Sequence, residues 1–90
     1  VLDDGETLLT LATRYNLMKT VEALVDNGAS LSHTNTKKEN PLMVAAMLGY
    51  ENLVKILHSM GAKLDAKDIH GNTALHLAIL GKHESIALYL

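Results

Sequence analysis

Ninety residues bound the chain to one small domain, and a single globular core of that size would bury only a modest share of its surface. The absence of cysteine excludes a disulfide framework and thiolate metal sites, and fits a reducing compartment inside the cell, cytoplasmic or nuclear. A net charge of -2 with scattered Lys and Arg leaves no basic stripe for nucleic acid, and the longest apolar run, Pro41 to Tyr50, is far too short to span a bilayer. Three tyrosines are the only aromatics, so the core must be built from Leu, Ala, Val, Ile and Met. The chain opens on Val with no signal-peptide pattern and stops in mid-pattern at Leu90, which suggests a piece of a longer protein.

Taken in chain order, the predicted elements recur at an offset of 33 residues. The first unit, residues 2–34, has Thr7 at a helix start, Leu9 and Ala12 at helical spacing, and Asn16 at a turn. Val21 and Leu24 follow in a second helix that ends at Gly28-Ala29. The second unit, residues 35–67, is the clearest. Asn40 is an N-cap, and Pro41 follows at the first helical position, where its missing N–H costs nothing. Leu42, Ala45 and Ala46 form a helical stripe, and Gly49 permits a left-handed turn. Leu53, Val54, Ile56 and Leu57 form the next stripe, with Glu51 in the first turn, where a negative charge suits the dipole. Gly61 stops that helix, and a polar stretch runs to Gly71. The third unit, residues 68–90, is incomplete: "DIHGNT" makes a tight turn, and Thr73, Leu75, Ala78 and Leu90 repeat the earlier columns.

Neither helix of a unit is long enough to be stable alone. Stacking the units buries a continuous apolar seam, so an all-α repeat solenoid is expected. Ala12, Ala45 and Ala78 would let the first helices approach closely, while leucines fill the side of the second helices. A stack so built curves, with the first helices and the loops on its concave side.

These residues resemble the ankyrin repeat family. "GETLLTLA", "NPLMVAA" and "GNTALHLA" match the family's T-P-L-H-x-A-A segment, and "TVEALVDNGASLSHTN" and "LVKILHSMGAKLDAKD" match its second helix and the G-A-D-V-N-A that follows. The resemblance covers essentially the whole chain. It implies two antiparallel helices and a β-hairpin-like loop per repeat, and protein–protein recognition rather than catalysis. A tetratricopeptide-like array has a period one residue longer and lacks the D-x-x-G-x-T turn. The chain departs from the pattern in places. Thr10 and Met43 stand where the family has its His, and Asn16 and Lys82 stand where it has the glycine between helices. Asn enters the left-handed region readily. At the third turn, either Lys82 carries strain or the turn shifts by one residue onto Gly81.

Two histidines, His76 and His83, lie close to Glu84 and raise the question of a site. Thr73 and His76 read as an N-cap and its N3 partner, in the manner of a capping box, and the family uses its Thr and His in this way. His83 stands at the start of a second helix, where the family often has His, and reads as structural. A zinc site needs three or four convergent ligands, and no thiolate or H-E-x-x-H pattern is present, so no metal or other cofactor is expected. Ser85 beside His83 and Glu84 is no triad, because adjacent helical residues point apart. No P-loop, nucleophile elbow or dinucleotide fingerprint occurs, and the chain is not expected to be an enzyme.

The positions that vary between units are the loop tips and the end of each first helix. They offer Asp3, Asp4, Glu6, Arg14 and Tyr15, then Thr36, Lys37, Glu39, Met47 and Leu48, then Ile69, His70, Asn72, Leu80 and Gly81. Tyr15, Met47, Leu48, Ile69 and Leu80 are too apolar for a solvated face and would centre a site for a protein partner, with Arg14, Lys37, Glu39 and His70 around them. Thr7, Asn40, Pro41, Thr73 and His76 are assigned to capping. The expected function is a non-catalytic interaction module, an adaptor, scaffold or regulatory domain. Membrane insertion, nucleic acid and a small-molecule substrate are not expected. The alternatives are a structural segment of a longer solenoid and a regulatory region of a larger enzyme.

Overall fold

A computed structural model describes residues 7–90. They form three helix–turn–helix pairs: α1 (Leu8–Arg14) with α2 (Met18–Asp26), α3 (Pro41–Leu48) with α4 (Glu51–Ser59), and α5 (Ala74–Leu80) with α6 (Glu84–Tyr89). Among the described residues no strand forms, and no helix is long and apolar enough to cross a membrane.

Each first helix starts at a side-chain cap. The Thr10 backbone N–H donates to Thr7 Oγ1 at 3.2 Å, and the Thr7 N–H donates to Thr10 Oγ1 at 2.9 Å. Asn40 Oδ1 accepts from the Met43 N–H at 2.9 Å, and Pro41 follows it at the first helical position. At the third helix the Thr73 N–H donates to His76 Nδ1 at 3.2 Å, while Thr73 Oγ1 lies 2.8 Å from the same ring nitrogen. Thr10 and His76 thus perform the same return contact with different side chains. Each such cap is worth about 0.5–2 kcal/mol.

The three turns between paired helices close alike. Leu17, Tyr50 and His83 donate their backbone N–H to Ala12, Ala45 and Ala78, five residues back. This is the Schellman pattern, which needs one left-handed residue before the donor. Asn16, Gly49 and Lys82 supply it, with φ of 58°, 84° and 63°. The third turn therefore does not shift: Lys82 takes the left-handed position, and Gly81 stays right-handed at φ -82°.

α3 is buried along its length from Pro41 to Ala46, because α1 and α5 pack on its two sides. Leu42, Val44, Leu53, Val54 and Leu57 are fully enclosed, each worth about 1.5–3 kcal/mol of burial. α3 packs closely on both α1 and α5, whereas α4 and α6 touch lightly. That inequality is what curvature toward the first helices requires.

The two described loop tips are built on one plan. Asn35 Oδ1 accepts from the backbone N–H groups of Lys37 at 2.9 Å and Glu39 at 3.0 Å. One period later, Asp68 Oδ1 accepts from those of His70 and Asn72, both at 2.9 Å. The side chains also pair across each turn. Asn35 Nδ2 donates to Glu39 Oε1 at 2.9 Å, and Asn72 bonds to the Asp68 carboxylate. Amide and carboxylate have exchanged places between the two repeats. The Ile69 N–H then donates to Lys37 O at 2.9 Å and ties one tip to the next.

Candidate functional site

The first helices and the loop tips make a single face, and the structure distributes the expected display residues unevenly over it. Tyr15, Ile69 and Leu80 are well exposed, at 68%, 56% and 69%. Leu48 is at the border of exposure, and Lys37 and His70 are open to solvent. Arg14 and Met47 are half-buried, and Met47 packs against the core. Glu39 is the correction. It is buried, and its carboxylate is taken up by the Asn35 amide, so it builds the loop rather than displaying a charge. Asp3, Asp4 and Glu6 lie outside the described residues.

Two side chains fix this face from behind: Tyr50, which sequence reasoning passed over, and His83, which it read as structural without a partner. The Tyr50 hydroxyl donates to Arg14 O at 3.0 Å, and His83 Nε2 lies 3.0 Å from Met47 O. Donor and acceptor are 36 residues apart in both cases. Each clasp runs from the start of a second helix to an open carbonyl at the end of the preceding repeat's first helix, where the helix's own ladder has run out. The signal was present in the columns: Leu17, Tyr50 and His83 align, and the latter two can hydrogen-bond. A Cβ built on Gly49 would lie 2.5 Å from the His83 ring, and one on Gly81 would lie 2.7 Å from it. His83 is thus seated between two glycines. Gly81 is needed for space, where a shifted left-handed turn had been one explanation.

His76 serves α5 and His83 serves the repeat junction, so the two nitrogens of interest are engaged in different jobs. Among the described residues no three His, Cys, Asp or Glu side chains are grouped to hold a metal ion. On the opposite side, His58 Nδ1 lies 2.7 Å from the Tyr89 hydroxyl, and Lys55 Nζ lies 5.7 Å from that ring's centre, joining α4 to α6. One carboxyl stands out electrostatically. Burial pushes Asp68 up, but the N–H groups of Asn72 and His70, then the Asn72 side chain and the charge of His70, outweigh it and hold the carboxyl below the usual aspartate range.

A second apolar surface lies at the front of repeat one. Leu8, Leu11, Ala12, Tyr15, Leu17, Thr20 and Leu24 line an open groove of ≈ 250 Å³. The matching positions in repeat two include Pro41, Val44, Ala45, Leu53 and Leu57, all buried. Tyr15 therefore stands on the border of two surfaces, the display face and a stacking face.

Buried framework columns, a repeated junction and variable side chains on one face define a helical repeat scaffold. Residues 9–90 match the family model for ankyrin repeats, in three copies, and the chain belongs to the ankyrin repeat family. It is 37% identical over 79 residues to an ankyrin repeat protein of fowlpox virus, covering 84% of this chain and 23% of that one. It is 38% identical over 78 residues to a Plasmodium falciparum protein named as an E3 ubiquitin-protein ligase, covering 82% of this chain and 1% of that one. It is 31% identical over 74 residues to the human transient receptor potential cation channel subfamily A member 1, covering 82% of this chain and 7% of that one. The chain thus spans less than a quarter of each of these relatives. Ankyrin repeats are in general protein-interaction modules without catalytic activity.

Proposed function

We propose that this chain binds another protein through the face made by its first helices and loop tips, as an adaptor, scaffold or regulatory module, inside the cell and without chemistry of its own. The observation that carries the reading is the exposure of Leu48, Ile69 and Leu80 on that face, while the apolar columns of the first helices between repeats are enclosed. Exposed apolar side chains grouped on one surface and rimmed by charge suit a partner's apolar anchor. Neither a cofactor nor a small-molecule substrate is part of this reading, nor are nucleic acid and membrane insertion.

The test is affinity capture with the parent chain and with Leu48→Glu/Leu80→Glu, after circular dichroism has shown equal helicity. Both side chains already meet solvent, so a carboxylate there leaves the core intact. A protein held by the parent and released by the variant is the expected result. Equal capture by both would remove the face from consideration.

A second reading has its own observation. The open groove at repeat one matches columns that are buried in repeat two, which favours a segment of a longer stack. The ligase-named relative and the channel supply an analogy for such a segment within a larger active chain. The two readings part on where substitutions act: Leu8→Glu would disturb stacking, and Leu80→Glu would disturb partner capture.

A further inference from the structure

We propose that the segment recognised on this face is acidic as well as apolar: a stretch of partner protein with aspartate or glutamate side chains spaced from an apolar anchor. The inference rests on the protein-binding reading above and specifies the partner's chemistry. Among the described residues, every carboxylate that reaches solvent lies on a second helix or in the segment leaving one: Glu22, Asp26, Glu51, Asp65 and Glu84. The first helices carry none. The described loop tips hold only Glu39 and Asp68, both buried and both tied into their own turns. Cations are arranged differently. Lys37 and Lys38 are exposed in the loop tip of repeat two, Lys67 is exposed directly before that of repeat three, and Lys82 is exposed beyond the end of α5. No ion pair among the described residues engages any of these four. Lys19, Lys55 and Lys63 lie among the carboxylates, so what the first helices and loops of this negatively charged chain carry beside Leu48, Ile69 and Leu80 is a surplus of cations. In the sequence, Asp4 stands one period before Lys37, Gly5 before Lys38 and Thr34 before Lys67, so repeat one has no cation in these columns.

Geometry adds a spacing. Ile69 is bonded beside Lys37 at the loop tips, while Leu48 and Leu80 close the far ends of α3 and α5. Eight helical residues separate the two ends of α3, about 12 Å at about 1.5 Å per residue. An extended segment covers that distance with about four residues. For an anchor at Leu48 or Leu80, a carboxylate that meets Lys37 stands about four or more positions away. A charged rim of this kind speeds encounter and selects among partners, and salt weakens it.

The experiment selects displayed random 12-residue peptides on the chain at about 0.1 M salt, then measures synthetic copies of the winners. Expected winners contain more Asp and Glu than Lys and Arg, at the stated spacing from Leu, Ile or Phe. Their affinity falls about tenfold or more in Lys37→Glu/Lys67→Glu, and less in the matching glutamine variant, with helicity unchanged. Neutral or basic winners, or indifference to the charge reversal, overturn the acidic partner while leaving protein binding intact, provided Leu80→Glu still abolishes it. Winners unaffected by Leu80→Glu, or no enrichment over background, overturn both readings. A mixed-sequence single-stranded DNA that binds the chain more tightly than any winner overturns the proposal in favour of nucleic acid.

Discussion

Gly81→Ala separates two physical effects that have opposite signs. Gly81 sits at φ -82° and ψ -1°, an ordinary right-handed conformation. Alanine there would by itself stabilise the chain by about 0.4–1 kcal/mol, because it restricts the unfolded ensemble. The surroundings oppose this. The new Cβ would lie 2.7 Å from His83 Cδ2, 2.8 Å from His83 Nε2 and 3.0 Å from Met47 O. The ring must swing away and release Met47 O, a bond worth about 0.5–1.5 kcal/mol. Overpacking at the junction adds about 1–3 kcal/mol. The expected net effect is a loss of about 1–3 kcal/mol, read by urea or thermal unfolding; each kcal/mol moves the midpoint by about 4–8 °C in a domain of this size. In a His83→Ala background the ring is gone and only Met47 O remains close, at 3.0 Å, so the same substitution costs less. The coupling between the two sites is then about 1 kcal/mol or more. Stabilisation of the parent by Gly81→Ala, or an equal loss with and without His83, would refute the seating of His83 between the glycines.

Lys82→Gly relieves a left-handed Lys and raises stability by about 0.5–1 kcal/mol in the same unfolding assay. Tyr50→Phe removes only the hydroxyl that reaches Arg14 O and lowers stability by about 0.5–1.5 kcal/mol, with no change in helicity by circular dichroism. Asp68 has a depressed folded-state pKa, so its contribution is present above the ordinary value of 3.8 and is lost as pH falls through the folded value. The stability gap between the parent and Asp68→Asn, measured by urea unfolding, should therefore shrink as pH drops below about 4. Asp68→Asn/Asn72→Glu copies the pair of repeat two, and at neutral pH should recover most of whatever Asp68→Asn alone loses.

The fold was legible because the signals agreed at each level. A strict period, a cap before each first helix and a left-handed position after it leave few ways to pair the helices. Leu9 and Leu42, and the column of Ala12, Ala45 and Ala78, also located the seam, whereas Leu75 in the leucine column is exposed. The face was legible only in outline. Glu39 looked like a display residue because it is charged and sits at a loop tip. Its burial follows from a partner four residues away, and only comparison of Asn35–Glu39 with Asp68–Asn72 exposes the exchange of amide and carboxylate. Gly81 was read through backbone freedom, whereas its cause is a ring from a neighbouring turn. Periodicity reports which positions are alike. It does not report which side chain from the next column needs the space.

The left-handed position at the three inter-helix turns is held by Asn16, Gly49 and Lys82, and its energetic consequence differs along the array. Asn tolerates this conformation, Gly adopts it freely, and for Lys it is unfavourable. The repeat with the freest turn is also the one with the Asn40-Pro41 start and with α3 buried from Pro41 to Ala46. In a linear stack whose units gain stability from their neighbours, the unit with the best intrinsic terms is where order begins. Among these three repeats, the middle one is then the unit expected to order first. The outer repeats order by docking on a template already formed, and they are the first to open when the template is stressed.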